Sequence, residues 1–163
     1  MTITVRPAHT AELAEVGELT VAAYEELLVP EDFYVAHLRD AVTRAREAEL
    51  YVAELEGRLV GTVTFCPQGS PWSEVAQPGE GEFRMLGVHP SARRRGVAES
   101  LVSVCLERSR ELGYDAVVLC SLPVQQPAHR IYERFGFRRI PDRDWSPAEG
   151  VDLQAFRLDL TAG

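Results

Sequence analysis

Met85-Leu86-Gly87-Val88-His89-Pro90-Ser91-Ala92-Arg93-Arg94-Arg95-Gly96-Val97-Ala98 is the stretch on which the reading of this chain turns. Its first residues read as a strand, Glu82–His89, that stops at Pro90. A tight turn follows, and a helix opens at Gly96 and runs to about Leu112, with Ala98, Leu101, Val102, Cys105, Leu106 and Leu112 as its apolar stripe. The first N–H groups of a helix lack partners inside it and carry partial positive charge. A glycine there lets a ligand approach the backbone with no Cβ in the way. Strand, turn and helix start together suit a pyrophosphate. The same residues also read as an ordinary strand-turn-helix with a solvated arginine turn, and local physics leaves both readings open.

Working outward, residues 2–6 read as a short strand, and a helix follows from about Thr10, its expected N-cap, to Pro30. A second helix is expected from about Asp32 to Ala48. Leu50–Leu55 and Leu59–Cys66 read as strands of a hairpin turning at Glu56-Gly57-Arg58. Pro67 to Gly81 is a long loop rich in Pro and Gly, the kind that is usually functional or mobile. After the arginine turn, Gly113 is a helix C-cap, Ala116–Ser121 is a buried strand, and Pro127 opens a helix that ends at Gly136. Phe137–Ile140 and Val151–Leu160 close the chain as strands. The order predicts a three-layer α/β sandwich: a mixed central sheet of about seven strands flanked by about four helices.

Bulk properties narrow the function. The 163 residues suit a single domain, 1–163, with one core. A net charge of −8 argues against general nucleic-acid binding. No apolar run approaches a bilayer span and the N-terminus has no signal-peptide pattern, so a cytoplasmic location with no membrane partner is expected. The three cysteines, Cys66, Cys105 and Cys120, fit no zinc spacing and read as buried thiols, with no metal expected. All 17 basic residues are arginines, clustered at Arg93–Arg95 and again at Arg130, Arg134, Arg138 and Arg139, so an anion can bind locally on an acidic protein.

Arg93 to Ala98 resembles the Q/R-x-x-G-x-G/A loop of the GNAT superfamily of N-acetyltransferases. Leu86-Gly87-Val88-His89-Pro90 is similar to the strand end that precedes that loop in the family, and Ala128-His129-Arg130-Ile131-Tyr132-Glu133-Arg134-Phe135-Gly136-Phe137 to its A-x-x-x-Y-x-x-x-G-F segment. The order of elements agrees over almost the whole chain. The resemblance implies acetyl-CoA as acetyl donor and an amine as acceptor, with no metal. It implies that backbone N–H groups of about Arg94, Arg95, Gly96, Val97 and Ala98 hold the pyrophosphate. Side chains among Arg93, Arg94 and Arg95 would reach phosphates. Leu86 and Val88, around Gly87, would pair by backbone with the pantetheine arm as with an added strand. Gln125 and Ala128 would complete the cosubstrate side. Where the family often has Asn, Gln125 is one methylene longer.

Amine acetylation needs the amine deprotonated, donors for the carbonyl oxygen and a proton for the departing thiolate. The resemblance makes Tyr132 the acid, on the stripe Ala128, Ile131, Tyr132, Phe135. It makes Glu82 the base, with Glu80 as a competitor, and direct attack in a ternary complex the route. A backbone N–H near Leu86 to Val88 is the expected oxyanion donor, at a bulge that Gly87 would ease. Cys120 lies in an apolar strand with no His nearby and is a poor acyl carrier. His89 and His129 read as turn and helix-surface residues. Trp72 and Trp145 either line the acceptor site or cover the core. The acceptor walls are expected at about Tyr24–Tyr34, Pro67–Gly81 and Pro141–Gly150. Other readings stay open: an acyl-CoA-binding sensor without catalysis, an acetyltransferase acting on proteins, and a homodimeric assembly.

Overall fold

The computed structural model describes residues 2–27 and 34–161. The chain runs β1 (Ile3–Pro7), α1 (Leu13–Tyr24), α2 (Tyr34–Arg39), α3 (Ala41–Glu47), β2 (Glu49–Leu55), β3 (Arg58–Cys66), β4 (Glu80–Val88), α4 (Val97–Glu111), β5 (Ala116–Ser121), α5 (Gln126–Phe135), β6 (Arg138–Arg139), β7 (Trp145–Ala148) and β8 (Val151–Asp159). The strand order is β1-β2-β3-β4-β5-β8-β6, with β7 paired to β8. Neighbours are antiparallel except for β4 and β5, which are parallel.

Alternation along β2 shows how the layers form. Leu50 and Val52 are buried with Leu13 and Val16 of α1 and Ala41 of α3. Ala53 and Leu55 are buried with Leu101, Val102 and Cys105 of α4. Successive side chains of a strand point to opposite faces. The sheet therefore carries α1 and α3 on one face and α4 on the other, where α5 joins through Tyr132. This is the expected three-layer arrangement.

The element count differs from expectation at two places, giving eight strands and five α-helices among the described residues. The expected second helix is two. Asp40 has ψ 66, which no helix accommodates, and its carboxylate accepts the N–H of Thr43 at 3.1 Å, so a new helix starts there. The eighth strand is β7, inside what reads as the Pro141–Gly150 loop. Thr10 is not a cap. Glu12 accepts the N–H of His9 at 2.7 Å and fixes the chain before α1. Leu112 is exposed rather than part of the α4 stripe. The expected break at Pro30 and start at Asp32 lie outside the described residues.

Candidate active site

The site begins where two strands part. β4 and β5 pair only through Glu80 with Ala116, Gly81 with Val117 and Glu82 with Val118. Beyond this point β5 stays with β8 and β4 stays with β3. From Phe83 onward, one edge of β4 faces a wedge. Thr62 stands opposite Gly87 and Thr64 opposite Arg84, so Met85 and Leu86 share one partner position, that of Val63. This bulge bends the strand away from β5. Met85 sits at φ +54, a left-handed conformation unusual for a residue with a side chain. The bulge is therefore one or two residues before the place expected from Gly87. Gly87 serves instead to admit α1, because a Cβ there would lie 2.7 Å from that of Ala23. The Tyr24 hydroxyl donates to the Leu86 carbonyl at 3.1 Å. Phe83, Arg84, Leu86, Cys120, Gln125 and Tyr132 are among the residues lining the narrow cleft within the wedge.

At the outer end of β4 lies the arginine turn. His89 accepts the N–H of Ser91 at 3.1 Å through Nδ1, which makes it the turn residue expected. Arg94 has φ +64 and Gly96 φ +83, and Val97 follows as the first residue of α4. A Cβ on Gly96 would meet nothing within 4 Å, so the backbone there faces open space. Ser100 is the first residue whose N–H returns to the turn, donating to Gly96 at 3.1 Å. Arg93 is committed elsewhere. It pairs with Glu26 at 2.9 Å and donates to the Ala23 carbonyl at 3.2 Å, tying the turn to the end of α1. Arg94 and Arg95 are exposed at the turn.

Tyr132 enters the cleft from α5. Its ring packs on Phe83, Phe137 and Phe156, with centroids about 6 Å away. The hydroxyl makes no hydrogen bond among the described residues while the residue lines the cleft. Burial pushes its pKa up, so the phenol keeps its proton. Half-buried Ala128 packs one turn earlier, against the same core. The Gln125 side-chain oxygen accepts the Leu122 N–H at 2.9 Å and the Ser121 hydroxyl at 3.0 Å. Because that oxygen can only accept, the Ser121 hydroxyl must in turn accept from His129 Nε2 at 3.0 Å. His129 is thus buried rather than on the helix surface, and burial lowers its pKa.

The two carboxylates proposed as base do other work. Glu82 is fully buried. It accepts the Glu74 N–H on both oxygens at 3.0 Å, the Val75 N–H at 3.0 Å and the Ala76 N–H at 2.9 Å. Oε1 takes three of these contacts and Oε2 one, folding the long loop onto β4, and Glu82 is not among the described residues that line the cleft. Glu80 accepts from Gln77, from both Nη atoms of Arg143 and from Arg157 Nε at 2.8 to 3.0 Å. It clamps the loop, the Pro141–Arg143 turn and β8 together. Cys120 is half-buried, and burial, reinforced by Glu74 and Glu82, pushes its thiol up to about 12. A thiol of that kind is a weak nucleophile at neutral pH. Among the described residues no His, Cys, Asp and Glu side chains converge as a metal site. No helix there is long and apolar enough to cross a membrane.

The model of the acetyltransferase (GNAT) family matches residues 13–137. The chain belongs to this family. It is 36% identical over 103 residues to the mycothiol acetyltransferase of Thermomonospora curvata, covering 59% of the chain and 32% of that protein. Over 126 residues it is 33% identical to the N-acetylaspartate synthetase of Danio rerio, covering 68% of the chain and 41% of the relative. The chain thus spans well under half the length of these relatives. In fold it is similar to a GNAT acetyltransferase of Staphylococcus aureus, with TM-score 0.76 at 16% identity, covering 98% of this chain and 99% of the other. The PaiA N-acetyltransferase of Thermoplasma acidophilum, solved in complex with coenzyme A, superposes with TM-score 0.75 at 13% identity, covering 98% and 99%.

Within this GNAT framework, the other side of the cleft holds Arg84, which motif reading misses, together with Trp72, which it leaves between two roles. Arg84 leaves β4 beneath the long loop, donates to the Trp72 carbonyl at 3.0 Å and to the Tyr34 hydroxyl at 3.1 Å, and lies 3.6 Å from Glu74. Trp72 is a lid on this group, its ring 5.6 Å from the Arg84 guanidinium and 6.0 Å from that of Arg44. Its indole N–H donates to Glu47 at 3.0 Å. Trp145, by contrast, is on β7 and partly exposed. The signal for Arg84 was present: one charged residue within the apolar run Phe83-Arg84-Met85-Leu86.

Proposed function

We propose that this chain transfers the acetyl group of acetyl-CoA to the primary amine of a small molecule, by direct attack in a ternary complex. The observation that carries the reading is the wedge between β4 and β5. It has the start of α4 at its mouth and the Tyr132 hydroxyl inside. The residues suit the cosubstrate. The space over Gly96 is open, the first N–H groups of α4 have no helical acceptor, and the freed edge of β4 offers strand-like pairing at Leu86 and Val88. Arg94 and Arg95 are exposed at the turn, as is Arg93, which is tied to Glu26.

Bound acetyl-CoA supplies an acyl thioester, and the chain supplies the proton traffic around it. Tyr132, held protonated by burial, is the donor for the departing sulfur. The base is reassigned to Glu74. Its carboxylate lies 3.6 Å from cleft-lining Arg84 and accepts no hydrogen bond among the described residues. Burial raises its pKa, which brings it nearer to a base's working range. Tyr132 favours an enzyme over a sensor. The relatives' names span mycothiol and N-acetylaspartate, so they support no single acceptor.

The test is a thermal shift with acetyl-CoA followed by thiol release across an amine panel. Stabilisation plus turnover, with intersecting double-reciprocal lines, supports the reading. Parallel lines or acetyl-Cys120 would replace direct attack by an acyl-enzyme route. Absence of both stabilisation and turnover would overturn the reading.

A further inference from the structure

Two guanidiniums lie on the acceptor side with too little negative charge to meet them. Arg44 of α3 is fully buried. Its Nη1 donates to the His37 carbonyl and its Nη2 donates to Thr20 Oγ1 at 3.3 Å. Among the described residues, no carboxylate pairs with it. Its Nε is buried without any hydrogen-bond partner, and so is the Nε of Arg84. Of the five donors on Arg84, two are used in hydrogen bonds, both to neutral oxygens. Glu74, at 3.6 Å, forms an ion pair with Arg84 just beyond hydrogen-bond range. Glu82 is spent on backbone amides. Burial pushes the Arg44 pKa down to about 10, with the charge of Arg84 adding to the effect. Two buried guanidiniums against one paired carboxylate leave a net positive charge, which is costly for a fold, and Arg84 carries it to the cleft. Its survival beside a cleft points to a ligand that brings the missing charge.

Resting on the acetyltransferase reading, we propose that the acceptor is an amino acid or similar amino-carboxylate, whose carboxylate docks on Arg84 with Arg44 behind it while its ammonium faces Glu74. The dimensions agree. In an α-amino acid the amine and the carboxylate are borne by the same carbon, a separation comparable with the 3.6 Å between Arg84 Nη2 and Glu74 Oε2. Arg84 also lines the cleft that Tyr132 enters. A carboxylate held there leaves the amine at the cleft, within reach of the thioester, and next to the base. The fork of donors on Arg84 matches a carboxylate's two oxygens. Trp72, stacked over both guanidiniums, keeps water from competing for them. The chain as a whole carries a net charge of −8, but the charge that Arg84 brings to the cleft has the opposite sign.

The experiment compares kcat/KM for the common amino acids, their methyl esters and their decarboxylated amines, with released thiol as readout. An accepted amino acid should exceed its ester and its decarboxylated amine by at least about 100-fold, since a site built to bond a group rejects the analogue lacking it. In Arg84→Gln that preference should fall to within about fivefold, while acetyl-CoA still stabilises the protein against heat. Equal use of acids and esters by the wild type would overturn the proposal while leaving the acetyltransferase reading intact. So would an unchanged preference in Arg84→Gln. The wild-type comparison decides by itself should Arg84→Gln fail to fold. No stabilisation by acetyl-CoA and no turnover of any amine would be a failure of the underlying reading, recognisable because esters and amines fail together with acids.

Discussion

The two sides of the cleft are built from different material. On the proposed cosubstrate side the structure is mostly backbone: the freed edge of β4, a turn with φ +64 at Arg94 and +83 at Gly96, and the first N–H groups of α4. On the proposed acceptor side it is side chains from distant parts of the sequence: Arg44 of α3, Trp72 and Glu74 of the long loop, and Arg84 of β4. A backbone site needs little from its side chains except that none intrude. A side-chain site can be retuned one residue at a time. The first arrangement suits a donor common to a family and the second an acceptor that differs among its members.

If the comparison is right, damage to the backbone side should remove cosubstrate binding altogether. Gly96→Glu places a side chain and a negative charge in open space over the helix start, at a φ that only glycine adopts easily. The expected outcome is complete loss of the thermal stabilisation by acetyl-CoA in an otherwise folded protein. A variant stabilised like the wild type would mean that the anion seat is elsewhere.

Tyr132→Phe tests the floor between the two sides. It keeps the ring that packs on Phe83 and Phe156 and removes only the proton donor. The expected fall in kcat is about 10- to 10⁴-fold, with acetyl-CoA affinity little changed. Unchanged turnover would make Tyr132 a core residue whose hydroxyl is incidental.

On the acceptor side, Glu74→Gln should lower kcat/KM about 10- to 100-fold near neutral pH if Glu74 takes the proton from the amine. Its pKa is raised by burial, so the wild-type rate should climb with pH through a value above the ordinary glutamate range, and the variant should lack that limb. High pH should partly rescue the variant, because free amine needs no base, and the rescue should follow the titration of each amine. A variant with raised KM and intact kcat would make Glu74 only an anchor for the ammonium.

The same contrast explains what could be read beforehand. The layers, the hairpin at Glu56-Gly57 and the open helix start at Gly96 follow from periodicity, glycine positions and helix ends, all of them local. The burial of Tyr132 was legible because its helix stripe is local too, whereas its proposed role came from the family resemblance. On the proposed acceptor side the sequence offered the Pro67–Gly81 loop and Trp72 but not Arg44 or Arg84, since these residues and Glu74 are brought together only by the way the long loop folds. The surroundings of Glu82, the expected base, were hidden for the same reason. A glutamate on a strand end looks open until the loop is placed, and residues 74–76 cover Glu82 through backbone amides, which no side-chain motif records.

The smallest expected effect asks what Glu82 costs and contributes in that covered place. Two influences oppose each other there. Desolvation disfavours the charged carboxylate and raises its pKa, whereas three backbone N–H groups favour the charge and lower it. Burial is the larger, so the folded pKa lies above that of the unfolded chain. The native state then holds more protons than the unfolded one between the two values. The stability contributed by Glu82 is therefore fully present below the unfolded pKa and is lost as pH rises through the folded one. Glu82→Gln cannot titrate and its amide can accept only on its oxygen, so it should be less stable than wild type at every pH, by about 1–3 kcal/mol. The gap should be widest in acid and narrow as pH rises, by at most about 1.4 kcal/mol per unit of pKa shift. Taking the difference between the two proteins cancels the acid titration of Glu12, which Arg6 holds down to about 2 in both. Denaturant unfolding of both proteins from pH 4 to pH 8 measures the gap. A gap that widens with pH would mean that the amides outweigh burial. Glu82 would then be a permanently charged anchor that holds residues 74–76 of the loop on β4.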